Sequence, residues 1–325
     1  MKVEEMVPRQ GNSMASEESQ LQSRVAWSYY NEGQTQAEIA QKYRVTRAKV
    51  NKILQECRAN GLVQIIINSD EASCAEVEGL LEKRFGLMKA IVVPTPAKES
   101  HLHAAIGETA GAYVSKHLRD GQGLGIGWGK TLRASLEGVV QRPAGMVSIV
   151  SLFGGLPRSE TTNPYDVAAV FSRRLNVSKC YYIAAPMYVT SEQVRKILMS
   201  QPMFEHIFEK ATEVDMALIG AGDLTQLSTN VLLGALTDKE WKSLLDANSV
   251  GEVFGYFLDK SGQPIDHPIN RRFMGADLSS LKQIPIKIVA SGGIQKVSII
   301  KAVLEGGYAD ILVTDEVTAW AVYSS

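Results

Sequence analysis

Arg47, Lys49, Asn51 and Lys52 stand within six residues of one another and combine guanidinium, ammonium and carboxamide groups. Arginine and asparagine can pair bidentately with guanine and adenine edges, whereas lysine neutralises phosphates. Such chemistry needs a helix that shows these groups on one side and is anchored on the other. Val50, Ile53, Leu54 and Cys57 recur at i, i+3, i+4 and i+7, which predicts the anchoring stripe. Thr46 is placed to cap this helix. Thr35, with Glu38 three residues on, forms a capping box for the helix before it. Tyr43-Arg44-Val45 is the right length for the bend of a helix-turn-helix. The candidate DNA contacts are therefore Thr35, Gln36, Arg44, Thr46, Arg47, Lys49, Asn51 and Lys52. Arg47 and Asn51 are assigned to bases, and Arg44, Lys49 and Lys52 to phosphates.

Capped basic helix pairs also occur in ordinary bundles, but the flanking residues favour DNA. Leu21, Val25, Ala26 and Tyr29 predict a preceding amphipathic helix that ends near Asn31-Glu32-Gly33. After the second helix, Gly61 and the run Leu62–Ile67 predict a helix stop and a strand, the wing of a winged helix-turn-helix. Residues 20–67 hold seven basic residues against three acidic ones, although the whole chain carries a net charge of only −1. A local positive surplus is what a nucleic-acid surface requires.

A chain of 325 residues exceeds the needs of three helices, so a second domain is expected. Residues 1–19 contain few apolar side chains and read as a disordered leader. No apolar segment follows the first lysine as a signal peptide would require, and no run is long enough to span a bilayer. Cys57, Cys74 and Cys180 are far apart and read as reduced thiols of a cytoplasmic protein. His101 and His103 have metal-ligand spacing but no neighbouring cysteine or carboxylate cluster, so neither a metal nor a cofactor is expected. Residues 68–86 predict a linker helix, with Val77, Leu80, Leu81 and Phe85 alternating with glutamates before Gly86.

From residue 87 onward, short aliphatic runs alternate with glycine turns and helical stretches. Strands are expected at 89–94, 123–127, 146–150, 180–186, 215–219, 286–290 and 311–314, with helices at 104–118, 131–140, 164–174 and 296–305. This alternation predicts an α/β domain with a doubly wound, mainly parallel sheet. Ligands of such sheets bind beyond the C-terminal strand ends, where these glycines collect. The most specific turn is Gly125-Ile126-Gly127-Trp128-Gly129-Lys130-Thr131-Leu132. Its glycines let backbone N–H groups approach an anion, and Lys130 and Thr131 add a charge and a hydroxyl. It is not a nucleotide P-loop, because Leu124 stands where the first glycine belongs. A turn needed only for packing is the plainer alternative.

From about residue 20 to the end, the chain resembles the SorC/DeoR-type sugar-binding transcription regulators of bacteria. The matching pieces are residues 125–132, Phe153-Gly154-Gly155-Leu156, Ala184-Ala185-Pro186, Leu218–Gly222, Val250–Asp259, Ser291–Lys296 and Leu312–Ala319. The resemblance implies a second domain similar in fold to sugar-phosphate isomerases and glucosamine-phosphate deaminases. It also implies a dimer or tetramer that rearranges on operator DNA when a sugar, polyol or sugar phosphate binds. Carried over by motif, the effector would meet Gly127, Trp128, Gly129, Lys130 and Thr131, with Gly154 and Gly155 opposite. Asp259 would accept hydrogen bonds from sugar hydroxyls with Asn270 assisting, and Lys296 would meet the anionic end or a carbonyl. Asp259 can equally close a hairpin turn, and Lys296 can simply open a helix. An isomerase or deaminase with a DNA-binding head is the alternative, but the Asp…Glu-His arrangement of those deaminases is not found. The expected organisation is a leader at 1–19, a helix-turn-helix domain at 20–67, a linker helix at 68–86 and an effector domain at 87–325. The expected role is a repressor of a carbohydrate or polyol operon, with no catalytic residues and no membrane partner.

Overall fold

The computed structural model describes residues 13–60, 62–63, 70–140, 146–156, 162–177 and 179–325. The chain divides into two compact units, Met1–Asn68 and Ser69–Ser325.

The first unit packs α1 (Ser13–Tyr30), α2 (Gln36–Tyr43) and α3 (Arg47–Ala59) around Val25, Ala26, Ile39, Val50, Ile53, Leu54 and Cys57. The stripe expected on α3 is thus its buried face. On α1, Tyr29 lies at the surface, and Ser28 is the buried residue, with its hydroxyl 3.1 Å from that of Tyr43. The capping box at Thr35 is formed in full, and Thr46 accepts the Lys49 N–H at 3.2 Å. Arg44 takes a left-handed conformation (φ 53°), which turns the chain sharply enough to start α3 two residues after Val45. The helix begins at Ser13, so residues 13–19 are helical rather than a leader; residues 1–12 lie outside the described residues. So does most of the expected wing, including Gly61 and 64–67.

The second unit opens with α4 (Asp70–Phe85), followed by β1 (Lys89–Val93), α5 (Leu102–His117), β2 (Gly123–Ile126), α6 (Lys130–Ala134) and β3 (Ser148–Gly155). Next come α7 (Pro164–Arg174), β4 (Lys179–Pro186), α8 (Glu192–Met199), α9 (Pro202–Thr212), β5 (Met216–Ile219) and β6 (Ala221–Gly222). The chain continues through α10 (Thr229–Leu232), α11 (Asp238–Asp246), β7 (Gly251–Val253), β8 (Tyr256–Leu258), α12 (Pro268–Arg271) and α13 (Leu278–Leu281). It ends with β9 (Ile286–Ala290), α14 (Val297–Glu305), β10 (Ile311–Asp315) and α15 (Glu316–Ser324).

Seven strands form one parallel sheet in the order β1-β10-β9-β5-β2-β3-β4. Its side chains alternate between two cores, as a sheet buried on both faces requires. Met216, Leu218, Ile288, Ile311 and Val313 join Ile106, Val114 and Phe171 on one face. Ala217, Ile219, Val289 and Leu312 join Val77, Leu81, Phe208 and Ile300 on the other. The chain winds outward from β2 through β3 to β4, then returns to β5 on the other side of β2 and proceeds through β9 to β10. The β2/β5 pair is therefore the switch point, where such sheets leave a crevice.

The helix expected as a linker is a structural part of this unit. Val77 and Leu81 of α4 are fully buried. Its Glu78 and Glu82 carboxylates accept the Val92 and Ala90 N–H groups of edge strand β1 at 2.7 and 2.9 Å. An open strand edge leaves its N–H groups unmatched, and α4 supplies the acceptors. Its far end is held by α15, through Trp320 Nε1 to Ser73 Oγ at 3.2 Å.

A small antiparallel sheet, β6-β7-β8, was not expected. Phe254 and Gly255, both at positive φ, make the two-residue turn between β7 and β8.

Candidate functional site

At the β2/β5 switch point lies a cavity of about 400 Å³. One wall is the turn after β2, with Trp128, Gly129, Lys130 and Thr131. A second is the end of β5, where Gly220, Ala221 and Gly222 lead to Asp223, followed by Thr225–Asn230. Glu252 on β7 and Gln295 and Lys296 after β9 close the far side, and Glu99, His103 and Phe153 also reach it.

Local structure explains how these groups are held. Gly129 sits at φ 112°, a conformation that L side chains rarely adopt, so the turn needs glycine there. Gly222 lets two side chains approach closely: a Cβ there would lie 2.7 Å from Glu252 Oε1 and 3.1 Å from Asn230 Nδ2 and would displace those side-chain ends. Asp223 turns back to accept the Thr225 N–H at 2.8 Å, which starts the Thr225–Asn230 segment. Below Lys296, Asp315 and Thr318 accept the Gly293 N–H at 3.1 and 2.7 Å and fix the turn after β9.

The cavity is electrically divided. Thr131 Oγ1 lies 2.9 Å from His103 Nδ1. Burial, reinforced by Lys296 and Lys130, pushes the His103 imidazole down to about 4, so it is neutral at neutral pH. Burial also lowers the Lys296 ammonium, with Asp223 and Glu252 opposing the change and Lys130 adding to it. Glu252 is raised by burial, against the Gly255 N–H and Asn230 that favour its charged form. A cationic wall (Lys130, Lys296) therefore faces buried carboxylates (Asp223, Glu252), and Trp128 also lines the cavity. This suits a ligand with an anionic end and hydroxyls.

The structure brings Trp128, Gly129, Lys130, Thr131 and Lys296 together as expected, but not the other expected effector residues. Asp259 closes the turn to Gln263: its carboxylate accepts the Ser261 and Gln263 N–H groups at 2.8 and 3.0 Å and the Ser261 hydroxyl at 2.7 Å. It does not line the cavity, and its role is the hairpin turn. Asn270 is likewise occupied, accepting the Phe257 N–H at 2.8 Å and donating to Phe257 O and Ile265 O at 3.0 and 2.9 Å. Gly127, Gly154 and Gly155 pack behind the wall; a Cβ on Gly154 would meet the Ala185 and Pro186 carbonyls, and one on Gly155 the Tyr165 ring. In that motif the residue that reaches the cavity is Phe153.

Sequence reasoning missed His103 as a partner of Thr131, and also Asp223, Asn230 and Glu252. Two signals existed. Asp223 follows directly on the Gly220-Ala221-Gly222 strand end, and Glu252 lies in the same Val250–Asp259 piece as Asp259. No group of three or more potential metal ligands occurs among the described residues.

In the first unit, Arg44, Arg47, Lys49, Asn51 and Lys52 are all exposed, while Gln36 is half-buried. Lys52 makes a loose i,i+4 pair with Glu56 at 3.8 Å. The Thr35 and Thr46 hydroxyls are engaged as caps. No described helix is long and apolar enough to cross a membrane.

Comparison with known proteins agrees with this geometry. The family described as "Putative sugar-binding domain" matches residues 69–324. The transcriptional regulator LsrR of Klebsiella pneumoniae is 31% identical over 316 residues, covering 95% of this chain and 94% of that protein. The erythritol catabolism regulatory protein EryD of Brucella abortus is 27% identical, covering 95% of this chain and 98% of that protein. The full-length sorbitol operon regulator SorC of Klebsiella pneumoniae superposes with a TM-score of 0.73 at 25% identity, covering 94% of this chain and 99% of that one. With the family match spanning most of its length, the chain belongs to the SorC/DeoR-type sugar-binding transcriptional regulators.

Proposed function

We propose that this protein is a cytoplasmic, DNA-binding repressor of a carbohydrate or polyol catabolic operon, released by a sugar, polyol or sugar phosphate bound in its second unit. The observation that carries this reading is one chain holding both a capped helix-turn-helix with an exposed basic α3 and a mixed-charge cavity at the switch point of a parallel sheet. Arg47 and Asn51 read bases, Arg44, Lys49 and Lys52 hold phosphates, and Trp128–Thr131 with Lys296 hold the effector. The protein acts as a dimer or tetramer, whose paired heads occupy successive major grooves of a pseudo-palindromic operator. Its relatives are regulators, so the cavity senses its ligand rather than converting it.

For the effector to act, it must bind the DNA-competent and DNA-incompetent states unequally. Typical couplings of about 1–3 kcal/mol correspond to several-fold to hundred-fold changes in operator affinity. The test is fluorescence anisotropy of the full chain on the fragment upstream of its own gene, with erythritol, sorbitol and their terminal phosphates added in turn. Salt-sensitive binding that at least one compound weakens is expected. Binding that no salt concentration modulates would remove the DNA assignment, and operator binding indifferent to all four compounds would remove the effector assignment.

A further inference from the structure

The wall formed by Thr225–Asn230 carries two polar groups that stand unmatched among the described residues. Ser228 and Asn230 line the cavity and are only 5% and 2% exposed. Neither Ser228 Oγ nor Asn230 Oδ1 has a hydrogen-bond partner among the described residues. Ser228 stands at the N-cap of α10, where a serine hydroxyl usually accepts a helix N–H, yet it makes no such bond. The Asn230 amide is oriented from behind: Nδ2 points to Glu252 Oε1 at 3.4 Å, which leaves Oδ1 free to accept. Glu252 is in turn fixed by the Gly255 N–H at 3.0 Å. Buried polar atoms without partners are rare and costly, and a cluster of them on a cavity wall marks where a ligand completes the bonding.

We propose that Ser228 and Asn230 form a hydroxyl-reading subsite facing the Lys130–Lys296 wall, and that they select a polyhydroxylated effector with an anionic end. This rests on the effector reading above. A ligand hydroxyl donates to Asn230 Oδ1, and the Ser228 hydroxyl supplies a second donor or acceptor after a small rotation. The cationic wall holds the anion and is indifferent to the carbon chain. Discrimination among sugars and polyols therefore belongs to the Ser228–Asn230 wall, because a site built to bond a hydroxyl rejects an analogue that lacks it.

Ser228→Ala is a clean probe, since the hydroxyl it removes bonds to nothing among the described residues. Calorimetry and thermal unfolding are measured on the full chain, wild type, Ser228→Ala and Asn230→Ala, with erythritol, sorbitol, their terminal phosphates and inorganic phosphate as titrants. The expected result has three parts: an unchanged or slightly higher melting temperature for Ser228→Ala, at least fivefold weaker binding of the polyol phosphates by both variants, and unchanged affinity for inorganic phosphate. Polyol phosphates bound equally by all three proteins would overturn the subsite and leave the effector reading standing. A Ser228→Ala protein that melts earlier, with inorganic phosphate and polyol phosphates weakened alike, would show a structural role instead and also overturn it. No binding of any polyol compound to the wild type would overturn both the subsite and the effector reading.

Discussion

The two units solve opposite problems with the same polar chemistry. In the helix-turn-helix, polar groups that the backbone needs are satisfied locally. Thr35 and Glu38 exchange bonds, Thr46 caps α3, and Arg47, Lys49, Asn51 and Lys52 stand in solvent. In the cavity of the second unit, polar groups are buried, and several are shifted from their usual ionisation or unmatched among the described residues: a neutral His103, a depressed Lys296, a raised Glu252, and the Ser228 and Asn230 oxygens. Long-range DNA attraction needs exposed charge and a rigid scaffold, whereas selective capture of a small molecule needs desolvated groups waiting for partners.

The first unit depends on a small core. Ile39 is fully buried among few neighbours, so Ile39→Ala is expected to cost about 2–5 kcal/mol and abolish operator binding. Effector-induced stabilisation of the second unit should persist, and its loss in the calorimeter would show that the units are not energetically separable. The cavity offers the next largest effect, through pH. His103 titrates near 6.5 when unfolded and about 4 when folded, so the unfolded chain binds the proton first. Stability should therefore be fully present above pH 6.5 and decline as pH falls towards 4, by about 2–3 kcal/mol at most. Denaturation of His103→Asn should lack this component; an identical pH profile in wild type and variant would refute it.

Smaller effects sharpen the division within the head itself. Arg47→Ala should cost about 1–3 kcal/mol on operator and much less on random duplex, thereby relaxing sequence preference. Lys52→Ala should cost less and weaken all DNA alike, lowering the slope of log affinity against log salt by about 1. Equal losses by both variants on both duplexes would refute the assignment of Arg47 to bases and Lys52 to phosphates.

Much of the architecture was legible because periodicity reports burial directly. The aliphatic runs at 216–219, 286–290 and 311–315 become central strands, the run at 89–93 becomes the edge strand β1, and the α3 stripe becomes the core of the head. Apart from the run at 215–219, segment 187–284 was nearly silent. Its short helices and three-stranded sheet are amphipathic over too few residues for a pattern to stand out. The site was half legible for a related reason. Gly129, Lys130 and Thr131 are neighbours in sequence, so their turn announces itself. Asp259 drew attention as an acid in a matching motif, but its own turn saturates it.

By itself, the sequence determined the local matters: where helices start, which face of α3 is apolar, which strands are buried on both sides, and that charge concentrates in the first unit. Those depend on residues a few positions apart. Only the tertiary structure decided that His103 meets Thr131, that α4 seals the edge of β1, and that Glu252 and Asn230 converge behind Gly222. Such pairings join residues on different elements, between 8 and 30 positions apart, and the packing of those elements sets them, which no local spacing encodes.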